Sequence, residues 1–239
     1  MRAWSEYRDF FREFRRDFLH TGSLLPSGVF LAQALARPHA NARPAARILE
    51  VGPGTGSVTR EIVRRMLPGD VLDAVEINPV FIDALRRRME RDPVLANRRG
   101  DVRLIQAPVQ EILGEDVYDF IISGLPLNNF AGADIRSIFG AYMRLARPGA
   151  TLSYFEYVLV RQLKTPFVGR SERYRLARVG RLVRRYIRRH QTECRHVWLN
   201  VPPAVVRYLR LGGHSSGQPV AVSGQPEAVR GLSSLTADR

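Results

Sequence analysis

The sequence predicts an α/β fold, a mostly parallel sheet covered by helices on both faces. Two observations carry that reading. Short apolar runs rich in Val and Ile alternate with amphipathic helical runs over residues 46 to 158, the pattern of βαβ units. The first of these runs leads through a glycine-rich turn into a helix, ILEVGPGTGSVTREI at 48 to 62. Open parallel sheets bind ligands at such turns, beyond the carboxyl ends of their strands.

In chain order, the first nineteen residues, MRAWSEYRDFFREFRRDFL, place Trp4, Tyr7, Phe10, Phe11, Phe14 and Phe18 on one side of a helix and Arg8, Asp9, Arg12, Glu13 and Arg16 on the other. Such a face suits a helix packed over a core or one lying in a membrane interface. A turn-rich link, HTGSLLPSG, follows, and residues 28 to 36 read as a short helix. Strands are expected at 46 to 51, 71 to 77, 102 to 107, 118 to 124 and 150 to 158. The helical runs VTREIVRRML, PVFIDALRRRME and ADIRSIFGAYMRLA lie among them. Residues 170 to 189 form a second amphipathic segment, with Leu176, Val179, Leu182, Val183, Tyr186 and Ile187 opposite a row of arginines. RHVWLNV at 195 to 201 reads as a further strand and PPAVVRYLRL as a short terminal element, while the Gly, Ser, Gln and Pro-rich stretch 212 to 239 predicts a disordered tail.

Composition narrows the classes. With 239 residues and 45% hydrophobic content, the chain supports one main domain with additions. No long apolar run or signal-like segment occurs, which predicts a cytoplasmic protein that does not span a membrane. Cys194 is the single cysteine, so an internal disulfide and a cysteine-built zinc site are excluded, and the five histidines have no ligand spacing. No metal is expected. The net charge of +14 is concentrated: residues 161 to 195 hold twelve Arg or Lys against Glu172 and Glu193, a net +10. A solvated arginine-rich face would read the same way, but charge at that density suits an anionic partner, an acidic membrane or a nucleic acid.

The chemistry centres on Gly52, Gly54 and Gly56. Glycine lets such a turn take positive φ and lets backbone approach a ligand. A dinucleotide fingerprint would want glycine at Ser57, and no Walker Lys-Ser/Thr pair follows. Glu50, just ahead of the turn, suits a cationic or zwitterionic ligand better than a pyrophosphate. Glu76, followed by Ile77, ends the second strand, where a carboxylate can accept both ribose hydroxyls of an adenosine.

E-V-G-P-G-T-G, V-E-I-N and the run into SGLP together resemble the class I S-adenosylmethionine-dependent methyltransferases over residues 45 to 158. The resemblance implies a Rossmann-like seven-stranded sheet and S-adenosylmethionine as cofactor. The backbone of Gly52 to Gly56 would lie near its methionine part, Glu50 near its amino group and Glu76 on its ribose. An acid that often holds adenine is replaced here by Pro108, leaving Gln106, Gln110 or backbone near Ala107 for that contact.

SGLPLNNF, at 123 to 130, bears on the acceptor. Enzymes that methylate exocyclic base amines carry Asn or Asp, then Pro-Pro or Leu-Pro, then an aromatic, to bind and stack a flipped base. Gly124 and Leu127 occupy those two positions, which makes a base, and with it a nucleic-acid partner of the ribosomal adenine dimethylase kind, the lesser reading. Gly124 and Leu127 are expected to leave an open apolar mouth instead. The wider pattern resembles the bacterial phospholipid N-methyltransferases: the aromatic N-terminal helix, T-G-S-L-L-P-S (21 to 27), V-E-I-N-P, S-G-L-P-L-x-N-F (123 to 130) and V-W-x-N-x-P-P-A (197 to 204). This implies N-methylation of the head-group amine of a membrane aminolipid, phosphatidylethanolamine or an ornithine lipid, at the inner face of the cell membrane. It also implies a helix and loop at 1 to 27 and a catalytic domain at 28 to 211, while the basic insertion at about 160 to 192 departs from the family's pattern. Ser123, backbone near Gly124 to Pro126 and Asn129 are candidates to position the amine. One of Tyr154, Glu156 or Tyr157, on the strand where the family uses a tyrosine, would accept its proton or hold the cationic product.

Overall fold

The computed structural model describes residues 27–40, 44–127, 132–158, 187–200 and 202–211. The aromatic N-terminal segment, Asn128 to Phe130, most of the basic insertion and the tail lie outside the described residues.

Seven strands form one sheet: β1 (Arg47–Val51), β2 (Val71–Glu76), β3 (Val102–Gln106), β4 (Tyr118–Ser123), β5 (Ala146–Tyr157), β6 (Gln191–Val197) and β7 (Ala204–Arg210). Their order is β3-β2-β1-β4-β5-β7-β6. The first five are parallel, and β7 runs antiparallel between β5 and β6. The inner strands read as nearly unbroken apolar runs because both of their faces are covered. On one face lie α1 (Ser27–Leu35), α2 (Ser57–Arg65), α3 (Pro79–Arg91) and the single turn α4 (Pro93–Ala96), over Ile48, Leu72, Ala74, Ile122 and Phe155. On the other lies α5 (Gly132–Leu145), whose Ile135, Ile138, Phe139 and Tyr142 pack on Leu49, Val51, Ile121, Leu152 and Tyr154.

Local chemistry sets the element ends. Pro79 opens α3 and Asn78 caps it, its side chain accepting from the Val80 N–H at 3.0 Å. The carbonyls left over in the last turn of α1 are met from the sheet: Ser153 Oγ donates to Leu35 O and Tyr208 Oη to Ala34 O, both at 2.7 Å. Three boundaries differ from the sequence reading. β5 begins at Ala146 rather than 150, because Ala146 still pairs with Tyr118 across a register shift around Pro148 and Gly149. β6 begins at Gln191, four residues early, its mostly exposed edge lacking the apolar alternation that marks a strand. The terminal element is the full strand β7.

Asp73 ties the middle of the sheet together. Its enclosed carboxylate accepts from Arg103 Nε at 2.6 Å and Nη2 at 2.7 Å, from Tyr118 Oη at 2.8 Å and from Arg47 at 3.4 Å. Burial alone would raise this carboxyl, but the Arg103 pair, the Tyr118 hydroxyl and Arg47 outweigh it and hold it below the ordinary aspartate range. Replacing Tyr118 with Phe removes one donor to a charged acceptor and leaves the ring in place. It is expected to cost about 1.5–3 kcal/mol in chemical denaturation at neutral pH. Because the folded carboxyl titrates below the unfolded one, Asp73 stabilises fully above the unfolded value of about 3.9. The difference between wild type and Tyr118→Phe therefore shrinks as pH falls through the lowered folded value.

Candidate active site

The parallel strands all end at one edge, and that edge carries the residues singled out by sequence. Register places Glu50 beside Ala74, Val51 beside Val75 and Ser123, Glu76 beside Gln106, and Ser123 beside Tyr154. Alternation splits them between the faces. Glu50, Glu76 and Tyr157 belong to the α1–α3 side; Ser123, Tyr154 and Glu156 belong to the α5 side.

The glycine turn is built from three positive-φ residues, Gly52 at 73°, Gly54 at 55° and Gly56 at 85°. Their reasons differ. A Cβ on Gly52 would stand 2.6 Å from Leu125 Cδ2, and one on Gly56 2.5 Å from Leu85 Cδ1. A Cβ on Gly54 would meet nothing within 4 Å and would project into open space. Gly54 is the glycine that keeps room for a ligand. Its N–H points to Glu76 Oε2 at 3.3 Å, while Oε1 of the same carboxylate accepts from the Asn78 N–H at 2.9 Å. Glu76 is thus fixed at the mouth of the turn, with burial raising its pKa against those backbone N–H groups. Gln106 stands beside it, exposed, at the end of β3, and Ile77 is half-buried just beyond β2.

Glu50 lies behind the turn, fully enclosed, and neither carboxyl oxygen has a hydrogen-bond partner. Burial pushes its pKa up to about 8. Thr59, in the first turn of α2, lies close enough to lower it somewhat, but the Thr59 hydroxyl and the carboxyl miss hydrogen-bonding geometry. Nearby Glu76 raises it further. An unpaired, buried acid beside an open turn fits a ligand that brings a positive charge. A carboxylate at the next strand end fits a ribose diol. These features together suit S-adenosylmethionine.

The end of β4 is tightly constrained. Gly124 donates its N–H to Val51 O at 2.8 Å, and a Cβ on Gly124 would stand 2.6 Å from the carbonyl oxygen of Gly52. Its glycine is a steric requirement of the crossing between the two chain segments. Leu125 and Leu127 are buried in the α5-side core, which corrects the expected open apolar mouth: Leu127 points into packing, and its small exposure (1%) leaves nothing to line an opening. Ser123 is also enclosed. Its Oγ accepts from Tyr142 Oη at 2.8 Å and from the Leu125 N–H at 3.4 Å. Sequence reasoning passed over Tyr142, although a tyrosine on the core face of a helix announces that some buried acceptor takes its hydroxyl.

On β5 the three candidates separate. Tyr154 is fully buried edge-on to Phe139, and its hydroxyl reaches Glu156 Oε1 at 3.4 Å. Glu156 is partly exposed and pairs with Arg207 Nε at 3.4 Å on β7. Tyr157 packs edge-on to Phe155 on the opposite face, away from that pair. Among the described residues, no group of three or more His, Cys, Asp or Glu is placed to hold a metal ion.

Two outcomes follow. Gly124→Ala is expected to cost about 3 kcal/mol in denaturation, the backbone having to part, whereas Gly54→Ala costs only the left-handed penalty of about 1–2 kcal/mol. Ligand-free protein is expected to lose thermal stability as pH rises from about 4.5 toward 8. Over that window an unfolded Glu50 has released its proton and the folded one has not. Glu50→Gln flattens the slope in a calorimetric pH series, leaving the smaller part that Glu76 contributes with the same sign.

Comparison with known proteins agrees with this geometry. A methyltransferase domain family matches residues 48–149. The ornithine lipid N-methyltransferase of Singulisphaera acidiphila is 31% identical over 151 residues, covering 61% of this chain and 77% of that protein. Ribosomal RNA small subunit methyltransferase A of Parasynechococcus marenigrum is 32% identical over 114 residues, covering 44% of this chain and 36% of that protein. In structure, the chain is similar to the Streptomyces achromogenes O-methyltransferase TomG in complex with S-adenosylmethionine (TM-score 0.55, 20% identity, 77% of this chain and 79% of that one). It is similar also to a Burkholderia thailandensis N1-methyltransferase with bound S-adenosylhomocysteine (TM-score 0.56, 18% identity, 86% and 90%). These two likenesses speak to the fold. A cationic adenosyl cofactor is what the unpaired acid and the open turn leave room for, and the chain belongs to the class I S-adenosylmethionine-dependent methyltransferases.

Proposed function

We propose that this methyltransferase acts on the head-group amine of a membrane aminolipid, phosphatidylethanolamine or an ornithine lipid, while peripherally bound to the inner face of the cell membrane. The observation that carries the reading is the end of β4. The position where a base methylase needs an amide is sterically committed to glycine, and the position where it needs a stacking ring is a buried leucine. A small amine on an acyl-bearing head asks for neither. The similarity to an ornithine lipid enzyme over 77% of its length adds support, against 36% for the ribosomal enzyme. No helix among the described residues is long and apolar enough to cross a membrane.

In this reading Gly52, Gly54 and Gly56 approach the methionine part of the cofactor, Glu50 answers its positive charge and Glu76 accepts from the ribose, with Gln106 and Ile77 bordering the adenine. Bound S-adenosylmethionine supplies an electrophilic methyl group on a sulfonium sulfur. The protein's own work is alignment and proton removal, since an ammonium must become a free amine before it can attack. Glu156 is the acceptor of choice: it reaches solvent, Arg207 keeps it anchored, and Tyr154 touches it from below. Ser123, held by Tyr142, positions the strand end through the Leu125 N–H. Tyr157 lies on the other face of the sheet, edge-on to Phe155.

Incubation of the protein with membranes and methyl-labelled S-adenosylmethionine is expected to place label in the organic-extractable lipid fraction; label confined to RNA would support a base methylase instead. Glu156→Gln is expected to lower kcat about 100-fold with cofactor affinity unchanged. Gly54→Ala, though folded, is expected to abolish cofactor binding in calorimetry.

A further inference from the structure

The catalytic edge of the sheet carries a second feature that the methyl-transfer chemistry does not use. Because β7 runs antiparallel between them, β5 and β6 point the same way. Val197 of β6 therefore lies level with Ala204 and, one strand further, with Tyr157, three residues past Tyr154. The turn that follows β6 emerges at the edge that holds the glycine turn and Ser123. At its tip, Trp198 and Leu199 stand 67% and 68% exposed. Across a cleft of about 540 Å³ lies the amino-terminal part of α1, where Val29 and Phe30 are also exposed. These four are most of the six large apolar side chains standing exposed among the described residues.

The tip is held rigidly. Asn200 is buried; its backbone N–H donates to Val197 O at 3.3 Å and its side chain donates to Pro202 O at 2.8 Å. Val158 N–H reaches Pro203 O at 2.9 Å, pinning the far side of the turn to β5. Trp198 stacks on His196, ring centroids 5.3 Å apart and planes within 9°. Exposure of this indole is built in, and inserting it elsewhere orders little that is not already ordered. Arginines rim the cleft. Arg195 is exposed and pairs with no carboxylate among the described residues, Arg37 pairs with Glu193, and Arg65 pairs with Glu61. Tryptophan beside arginine around an aliphatic surface matches the headgroup boundary of a bilayer, where the rings sit at the interface and guanidinium groups meet phosphate.

We propose that the β6–β7 turn and the exposed end of α1 form a docking surface for an anionic bilayer, which Trp198, Leu199, Val29 and Phe30 enter while Arg195 meets lipid phosphate. Docked so, the enzyme faces the membrane with the edge that bears its cofactor turn. The surface is defined without reference to which amine is methylated, so it stands apart from the aminolipid reading.

Trp4→Phe leaves Trp198 as the sole tryptophan of the full chain. Its emission is to be followed with vesicles of phosphatidylcholine alone and of phosphatidylcholine mixed with phosphatidylglycerol. Anionic vesicles are expected to shift the emission to the blue, and lipids brominated near the headgroup to quench it. In cosedimentation with the same vesicles, Trp198→Ser with Leu199→Ser, and separately Val29→Ser with Phe30→Ser, are expected to weaken binding about 10-fold or more. Arg195→Glu weakens binding to the anionic vesicles only. Emission that does not respond to vesicles, or that is already blue and shielded because the chain itself covers the tip, overturns the proposal. So does unchanged binding in both paired variants, each checked for folding by circular dichroism. Normal vesicle binding without lipid methylation would count against the aminolipid reading and leave the docking surface standing.

Discussion

Two backbones meet at the centre of this molecule with no room for a side chain between them. Gly124 lies against the carbonyl of Gly52 and donates to Val51, while Gly52 in turn donates to Val75 O at 2.9 Å. Three strand ends are thereby locked into a single rigid corner. The turn that approaches the cofactor and the segment that leads to the acceptor side are held at fixed separation. For a reaction that consists mainly of aligning two reactants, a fixed separation between their binding segments is the protein's chief contribution.

Two of the buried acids, Asp73 and Glu50, are treated in opposite ways. Asp73 is saturated by two arginines and a tyrosine and remains ionised, an internal strut across the middle of the sheet. Glu50, two strand positions from the turn, is sealed in with no donor at all. A paired charge fixes structure, whereas an unpaired acid stays neutral and acquires a role only when something positive arrives. The fold thus separates the carboxylate that stabilises from the carboxyl held ready.

Much of this was legible in the residues. The alternation of strands and helices, the glycine turn and the placement of Glu50 and Glu76 at strand ends all follow from local pattern, because parallel strands covered on both faces leave long apolar runs that leave little ambiguity. The acceptor side was harder. Gly124 reads as a missing amide until its contact with Gly52 is seen, and that contact joins residues 72 positions apart in sequence. Leu127 reads as a lining residue because local pattern does not say which way a loop side chain turns. Tyr154 and Tyr157 look equivalent, yet strand alternation sends them to opposite faces. β6 was placed late because a mostly exposed edge strand carries no apolar signature.

The three glycines of the turn also differ in what holds them in place. At positions 52 and 56 a Cβ would displace a packed leucine side chain as well as strain the left-handed backbone. Position 54 carries the left-handed strain alone, and the space beside it is open. In a lineage that gave up methyl transfer but kept the scaffold, drift would begin there, toward Asn or Asp, which tolerate left-handed backbone.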